Sequence, residues 1–155
     1  MGFSAGNGAF TPSTSQDNWT LDASATTGIT IRVVMITWGG SNSSSNGYRT
    51  RWTRPSTLGT STFTGITVAN DNPNVAPAGL FGTYVTAPVL VADPGANLFA
   101  TDWNNQGGSG ILIKPLAQPW WLLGNGGVNK QQLSCRNTKG VDASLSSYQV
   151  EWQED

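Results

Sequence analysis

The sequence predicts an all-β protein: a jelly-roll or a related two-sheet antiparallel β-sandwich with an extended N-terminal arm. About nine short runs of strand character recur at a spacing of roughly 8–12 residues, which is typical of sandwiches and barrels. Clusters of Gly, Pro and Asn separate these runs, and no stretch has the periodicity of a long helix. A chain of 155 residues is expected to form one domain.

The first 16 residues are predicted to be an arm outside the sandwich, which then comprises residues 17–155. This segment is rich in Gly, Ser and Thr, and Phe3 and Phe10 are its bulky anchors. Ordering its backbone costs about 1–2 kcal/mol per residue, whereas each buried Phe returns only about 1.5–3 kcal/mol. We therefore expect the arm to pair with another protein chain.

The most strongly patterned strand is Ile29–Trp38, whose alternation predicts one face formed by Ile29, Ile31, Val33 and Met35. Its opposite face is polar at the start, and the later part of the strand is expected to be buried on both faces. In the last predicted strand, residues 146–153, the side chains of Tyr148, Val150 and Trp152 share a face. The other predicted strands cover residues 48–54, 62–69, 80–88, 96–102, 110–114, 120–123 and 131–136.

The composition favours a protein that binds other proteins over one that catalyses a reaction. Charged residues make up 11% of the chain, whereas Gly, Ser, Thr and Asn account for 65 of the 155 residues. Such a neutral surface gives little protection against association. A net charge of −1 offers no basic footprint for nucleic acid, and the longest apolar stretches are too short to span a bilayer. We expect neither nucleic acid nor membrane as a partner.

No enzyme activity is expected, and no catalytic, cofactor-binding or metal-binding residues are assigned. The chain has no His, so the common hydrolytic triads lack their base. The nine acids are scattered, and Asp93, which could pair with Asp102, lies in an Asp-Pro-Gly turn. The single cysteine, Cys135, cannot form an intrachain disulfide and is expected to pack as a small apolar group.

Seven tryptophans are the other unusual feature. Trp38 and Trp52 lie inside predicted strands and are expected in the core. Trp103, beside Asn104 and Asn105, could be a sugar-stacking platform or could cap the end of the sandwich, and we favour the cap. Trp120 and Trp121 are adjacent in a strand, so one should face the core and the other should point outward or into an interface. The candidate interface residues are Phe3, Phe10, Arg49, Arg51, Trp103, Trp120 and Trp121.

Several stretches resemble small tailed-phage and prophage structural proteins of the jelly-roll decoration, or cement, type. The stretches are Trp19–Gly40, Tyr48–Arg54, Asp102–Gly108, Leu133–Arg136 and Ser147–Trp152, and the likeness covers most of residues 19–153. The resemblance implies a homotrimer that sits on the outer capsid surface at local threefold positions and bridges capsomers. It implies no catalytic residues.

The expected function is therefore that of a capsid decoration protein, which stabilises the shell and has the major capsid protein and its own copies as partners. Its place would be the virion surface. The N-terminus lacks the basic and apolar regions of a secretory signal, which favours synthesis in the host cytoplasm. The alternative is a lectin-like carbohydrate-binding module that binds a host glycan through Trp103, Asn104 and Asn105.

Overall fold

The computed structural model describes residues 2–10, 16–40, 47–90, 97–104, 106–114, 118, 120–139 and 146–155. Within these ranges every strand pairing is antiparallel, and the one helical segment is a single turn, Val128–Gln131. The prediction of an all-β two-sheet sandwich is confirmed.

The described residues form fourteen strands. Their bounds are β1 Gly2–Phe10, β2 Trp19–Asp22, β3 Thr30–Gly40, β4 Gly47–Thr53, β5 Pro55–Thr57, β6 Thr60–Gly65, β7 Val68–Asn70, β8 Leu80–Thr86, β9 Val89–Leu90, β10 Asn97–Asn104, β11 Ser109–Ile113, β12 Trp120–Leu123, β13 Gln132–Lys139 and β14 Ser146–Glu154. The first sheet has the order β11-β3-β14-β1-β7, with β12 also paired to β3; the second has the order β10-β4-β13-β2-β8-β6. Without β6, β7 and β8, and with β11 and β12 counted as one position, this is the strand order of an eight-stranded jelly roll, in which successive strands mostly alternate between the two sheets.

Between β4 and β10 the chain makes an insertion that widens both sheets. The insertion consists of the strands β5 to β9. The predicted strand 62–69 is divided into β6 and β7 because the chain passes there from the second sheet to the first. Strands β5 and β9 form a separate two-stranded sheet.

The prediction that residues 1–16 leave the sandwich is wrong for residues 2–10. These residues form β1, which pairs with β14 on one side and β7 on the other. Phe3 and Ala5 are buried in the core. Strands β14 and β7 of the same chain thus supply the backbone pairing that we expected from another chain, and Gly2 already belongs to the sandwich. Residues 11–15 lie outside the described residues.

A β-bulge corrects the predicted face of β3. Trp152 of β14 lies opposite Val33, whereas the preceding Glu151 lies opposite Met35, so Val34 is an extra residue in β3. The bulge shifts the alternation of core-facing and outward-facing side chains along β3 by one position. Ile31 and Val33 face the core as predicted, but beyond the bulge the buried residues are Ile36 and Trp38 rather than Met35.

Aromatic rings fill the space between the sheets. Trp38 packs 5.0 Å from Trp52, as the sequence predicts for two core tryptophans, and Phe99 lies 5.3 Å from Trp52. Gly110 of β11 lies directly against the Trp38 ring, where any side chain would collide with the indole. A second row joins both ends of the chain to the core and consists of Phe3, Trp152, Phe81 and Trp19, with centroids 5.3–6.0 Å apart.

The outer face of the second sheet carries a buried polar layer beneath the insertion. Asp17 accepts hydrogen bonds from Thr20 Oγ1 and Arg136 Nε, each at 2.7 Å. Burial raises the pKa of Asp17, although the nearby Arg136 guanidinium opposes the shift. Arg136 Nη2 also donates to the Pro88 carbonyl at 2.8 Å, and Gly59 N donates to Gln132 Oε1 at 3.1 Å. These bonds attach the insertion to the jelly roll.

Candidate protein-binding surface

Trp120 and Trp121 lie on opposite faces of β12, as the strand period predicts. Trp120 is buried in the core, and Trp121 is 40% exposed on the outer face of the first sheet. The cause is local: β12 pairs with β3 so that Leu122 and Trp120 lie beside the core residues Ile31 and Val33. Trp121, opposite Arg32, must therefore point outward.

The exposed Trp121 belongs to a line of apolar side chains, here called the edge stripe, which consists of Ile111, Ile113, Trp121 and Leu123. Strands β11 and β12 pair with successive halves of β3 and together form one edge of the first sheet. Ile111 and Ile113 are 57% and 66% exposed. An exposed edge with an apolar outer face is a template for association with another chain.

Cations surround the Trp121 end of the edge stripe. Arg54, Lys130, Trp121 and Leu123 line a cleft of about 510 Å³, here called the basic cleft. Arg54 Nη2 donates to the Trp121 carbonyl at 2.7 Å, and burial lowers the pKa of Arg54. The Arg32 guanidinium lies 5.5 Å from the Trp121 ring centroid, a cation–π contact, and also pairs with Asp155.

A second cleft in the outer face of the same sheet carries acidic side chains. Asp71 follows the edge strand β7, whereas Glu151 lies on the central strand β14. Both line a smaller cleft of about 200 Å³ together with Gly2, Ser4 and Gln153. We call Asp71 and Glu151 the acidic margin. The first sheet therefore has a basic, apolar edge and an acidic cleft that extends inward from the opposite edge.

Trp103 closes one end of the core. Its ring stacks on Tyr48 at 5.1 Å and meets Tyr148 edge-on at 6.3 Å, while its Nε1 donates to Thr50 Oγ1 at 2.9 Å. Asn104 is exposed, and its Oδ1 accepts the Gln106 backbone N–H at 2.8 Å. Asn105 lies outside the described residues. These contacts match the capping interpretation of Trp103.

Arg49 and Arg51 share the outer face of β4 but differ in accessibility. Arg49 forms an ion pair of 3.0 Å with Asp102 on the neighbouring strand β10. Arg51 is buried, and its Nε donates to Asn97 Oδ1 at 2.5 Å. Arg51 therefore contributes to the fold rather than to an accessible surface.

Phe3 likewise has an internal role, since its ring stacks on Trp152 at 5.9 Å. The backbone of Phe10 pairs with Ser146, but its side chain is outside the described residues. Of the seven candidate interface residues, Trp121 has the most exposed apolar side chain among those described. Sequence reasoning missed Ile111 and Ile113, although their alternation in a short strand was the available signal.

Other kinds of site have little support in the part of the chain that is described. No group of three or more His, Cys, Asp or Glu residues there could hold a metal ion. Asp93 lies outside the described residues, and Asp102 pairs with Arg49. Cys135 is buried as a free thiol, as predicted, and burial raises its pKa well above the ordinary value. No described helix is long and apolar enough to cross a membrane.

A scan against protein-family models finds no match to this chain, and searches of the curated proteins and the solved structures find no match either. The resemblance to jelly-roll decoration proteins therefore stays a prediction, and the function is argued from the surface described above.

Proposed function

We propose that this protein is a structural component of a virion: a capsid decoration protein that binds the outer surface of a phage capsid as a homotrimer and stabilises the shell. The observation that carries the proposal is the edge stripe, whose isoleucines are more than half exposed in a chain of low charge. A surface of this kind favours a stable contact with protein. The sequence resemblance supplies the capsid as the setting.

The jelly-roll order supports the same proposal. The fold hosts many functions, among them viral capsid and lectin domains, so the fold alone does not select one. The lectin-like alternative depends on Trp103, whose ring and Nε1 are already used within the core end. Packing of Trp103 thus favours the structural role over sugar stacking.

The oligomeric state provides the first test. Native mass spectrometry and light scattering should give three times the chain mass of 16.3 kDa. The double substitution Ile111→Lys/Ile113→Lys should yield monomers that keep the wild-type circular-dichroism spectrum, because both side chains are already exposed on the single chain. Thr62→Lys/Thr64→Lys adds the same charge at the same spacing to β6, an edge strand of the second sheet, and serves as the matched control.

Attachment to a shell provides the second test. The wild-type protein should co-sediment with particles assembled from the major capsid protein of the same virus and should raise their resistance to heat. The variant with lysines at 111 and 113 should bind much more weakly than the control variant. A wild-type protein that remains monomeric and leaves such particles unoccupied would contradict the proposal.

A further inference from the structure

We infer that neighbouring copies of this chain meet head to tail, with the basic cleft of one copy against the acidic margin of the next. This inference rests on the proposed homotrimer and specifies its contact. The occupant of the basic cleft is thus a second copy of the chain, whose Asp71 and Glu151 approach the first copy's Lys130 and Arg54.

The basic cleft and the acidic margin lie on one sheet, with Asp71 at the edge opposite Trp121. From β12 to β7 the strands run β12, β3, β14, β1 and β7. Four strand spacings of about 4.8 Å place Asp71 roughly 19 Å from Trp121, and Glu151 of β14 lies between them. Trp121, Arg32, Gln153 and Gly2 follow one another in register across this distance, and Asp71 N donates to the Gly2 carbonyl. Each copy therefore presents a cationic edge and, at the opposite edge, the carboxylate of Asp71.

Charge complementarity selects the second copy as the occupant. Lys130 and Arg54 line one cleft with like charge, and Asp71 and Glu151 line the other. Apposing the basic cleft and the acidic margin brings cations near carboxylates, whereas apposing two basic clefts brings equal charges together, which is unfavourable. The exposed Trp121 and the isoleucines of the edge stripe supply apolar area beside the charges.

The centre of the same outer face explains why the contact is expected at the edges. Thr37, Gly39, Ser147 and Gln149 line a shallow cavity of about 420 Å³ there, and these side chains are small or polar. They offer less apolar area than the edge stripe does. An edge-to-edge contact between unlike patches is heterologous, and such contacts form closed rings when the rotation permits. Three copies would close the proposed trimer.

Charge reversal at each edge tests the inference. Lys130→Glu and Asp71→Lys change exposed side chains. Each should weaken self-association roughly ten- to hundredfold, without shifting the melting temperature by more than a few degrees. The double variant Lys130→Glu/Asp71→Lys restores opposite charges at every contact and should recover the trimer. Thr62→Lys is the control, because it adds charge to an exposed position of β6 in the second sheet, away from both patches.

Mixing the two single variants separates a ring of three from a two-fold dimer. In the mixture, a contact between a Lys130→Glu subunit and an Asp71→Lys subunit pairs opposite charges, whereas a contact between two copies of the same variant pairs like charges. A ring of three must contain at least one contact between copies of the same variant. Equimolar mixing should therefore leave one repulsive contact in a trimer. Full recovery on mixing, as dimers, would overturn the ring. Trimers indifferent to either reversal would overturn the contact between the basic cleft and the acidic margin and leave the proposed function standing, whereas a monomeric wild type would overturn both.

Discussion

At the scale of single residues, Trp103 shows how an aromatic side chain next to amides can serve the fold. Its indole has a ring partner below, a second ring at its edge and a hydroxyl acceptor for its N–H. Together these contacts use both the apolar body and the polar tip of the residue, as buried tryptophans generally require. Trp121, with a guanidinium over its ring and an exposed edge, is available for association instead.

We expect Trp103→Ala to lower the free energy of unfolding by about 2–4 kcal/mol, because the substitution leaves a cavity between Tyr48 and Tyr148. Trp103→Phe keeps the stack and should cost less. Chemical denaturation followed by fluorescence measures both. A Trp103→Ala variant of wild-type stability that loses binding to an immobilised glycan would favour the lectin-like alternative.

At the scale of elements, β1 is the longest of the strands that sequence analysis did not assign, which also include β2, β5 and β9. Its residues are Gly, Ser, Ala and Asn with a single Phe in the first half, so β-propensity is low and only Phe3 and Ala5 mark a buried face. The strand exists because neighbours on both sides supply hydrogen-bond partners. Strands such as β4 and β14 were predictable, since their alternating bulky residues identify a core face without reference to partners.

The bulge at Val34 escaped sequence analysis for a related reason. Residues 33–36 of β3 are all apolar, so no polar position marks where the alternation changes phase. The bulge falls where β3 exchanges one edge partner for another: Trp120 pairs with Val33, and Ile113 pairs with Met35. The edge stripe could not be predicted from the sequence either, because its residues come from two separate strands, β11 and β12, which become neighbours only in the folded sheet.

The position of β1 inside the sheet leads to a prediction about its two faces. Phe3→Ala should destabilise the fold by about 3–5 kcal/mol, since it removes a ring stacked on Trp152 in the core. Ser4→Ala, on the opposite face of the same strand, should change stability by no more than about 0.5 kcal/mol. Thermal denaturation compares the two variants. Equal, small effects would indicate that β1 is an accessory segment.

At the scale of the whole molecule, the topology places the ends of the chain side by side. Strand β14 lies between β3 and β1, and Phe3 and Trp152 share one row of rings with Phe81. Sequence analysis predicted the sandwich from the strand spacing, but it could not predict which strands are neighbours, because pairing across the chain leaves no local pattern.

This arrangement makes the native contacts mostly non-local, so we expect the main refolding phase to take milliseconds to seconds. Stopped-flow tryptophan fluorescence would measure it, since six described tryptophans lie in or beside the core. The substitution Gly6→Ala would test the contact between β1 and β14, because the added methyl group would lie close to the Tyr148 carbonyl. Completion of refolding within microseconds would contradict a topology governed by these long-range pairings.

The separation of β1 and β14 along the chain also has a consequence for synthesis. About 135 residues lie between the end of β1 and the start of β14, so a ribosome adding about 5–20 residues per second exposes the first strand for roughly 7–30 s before its main partner exists. A nascent strand rich in Val and Ile would be prone to pair wrongly during that interval. The Gly- and Ser-rich sequence of β1 is a weak template for such pairing, and it becomes a strand only when its partner emerges.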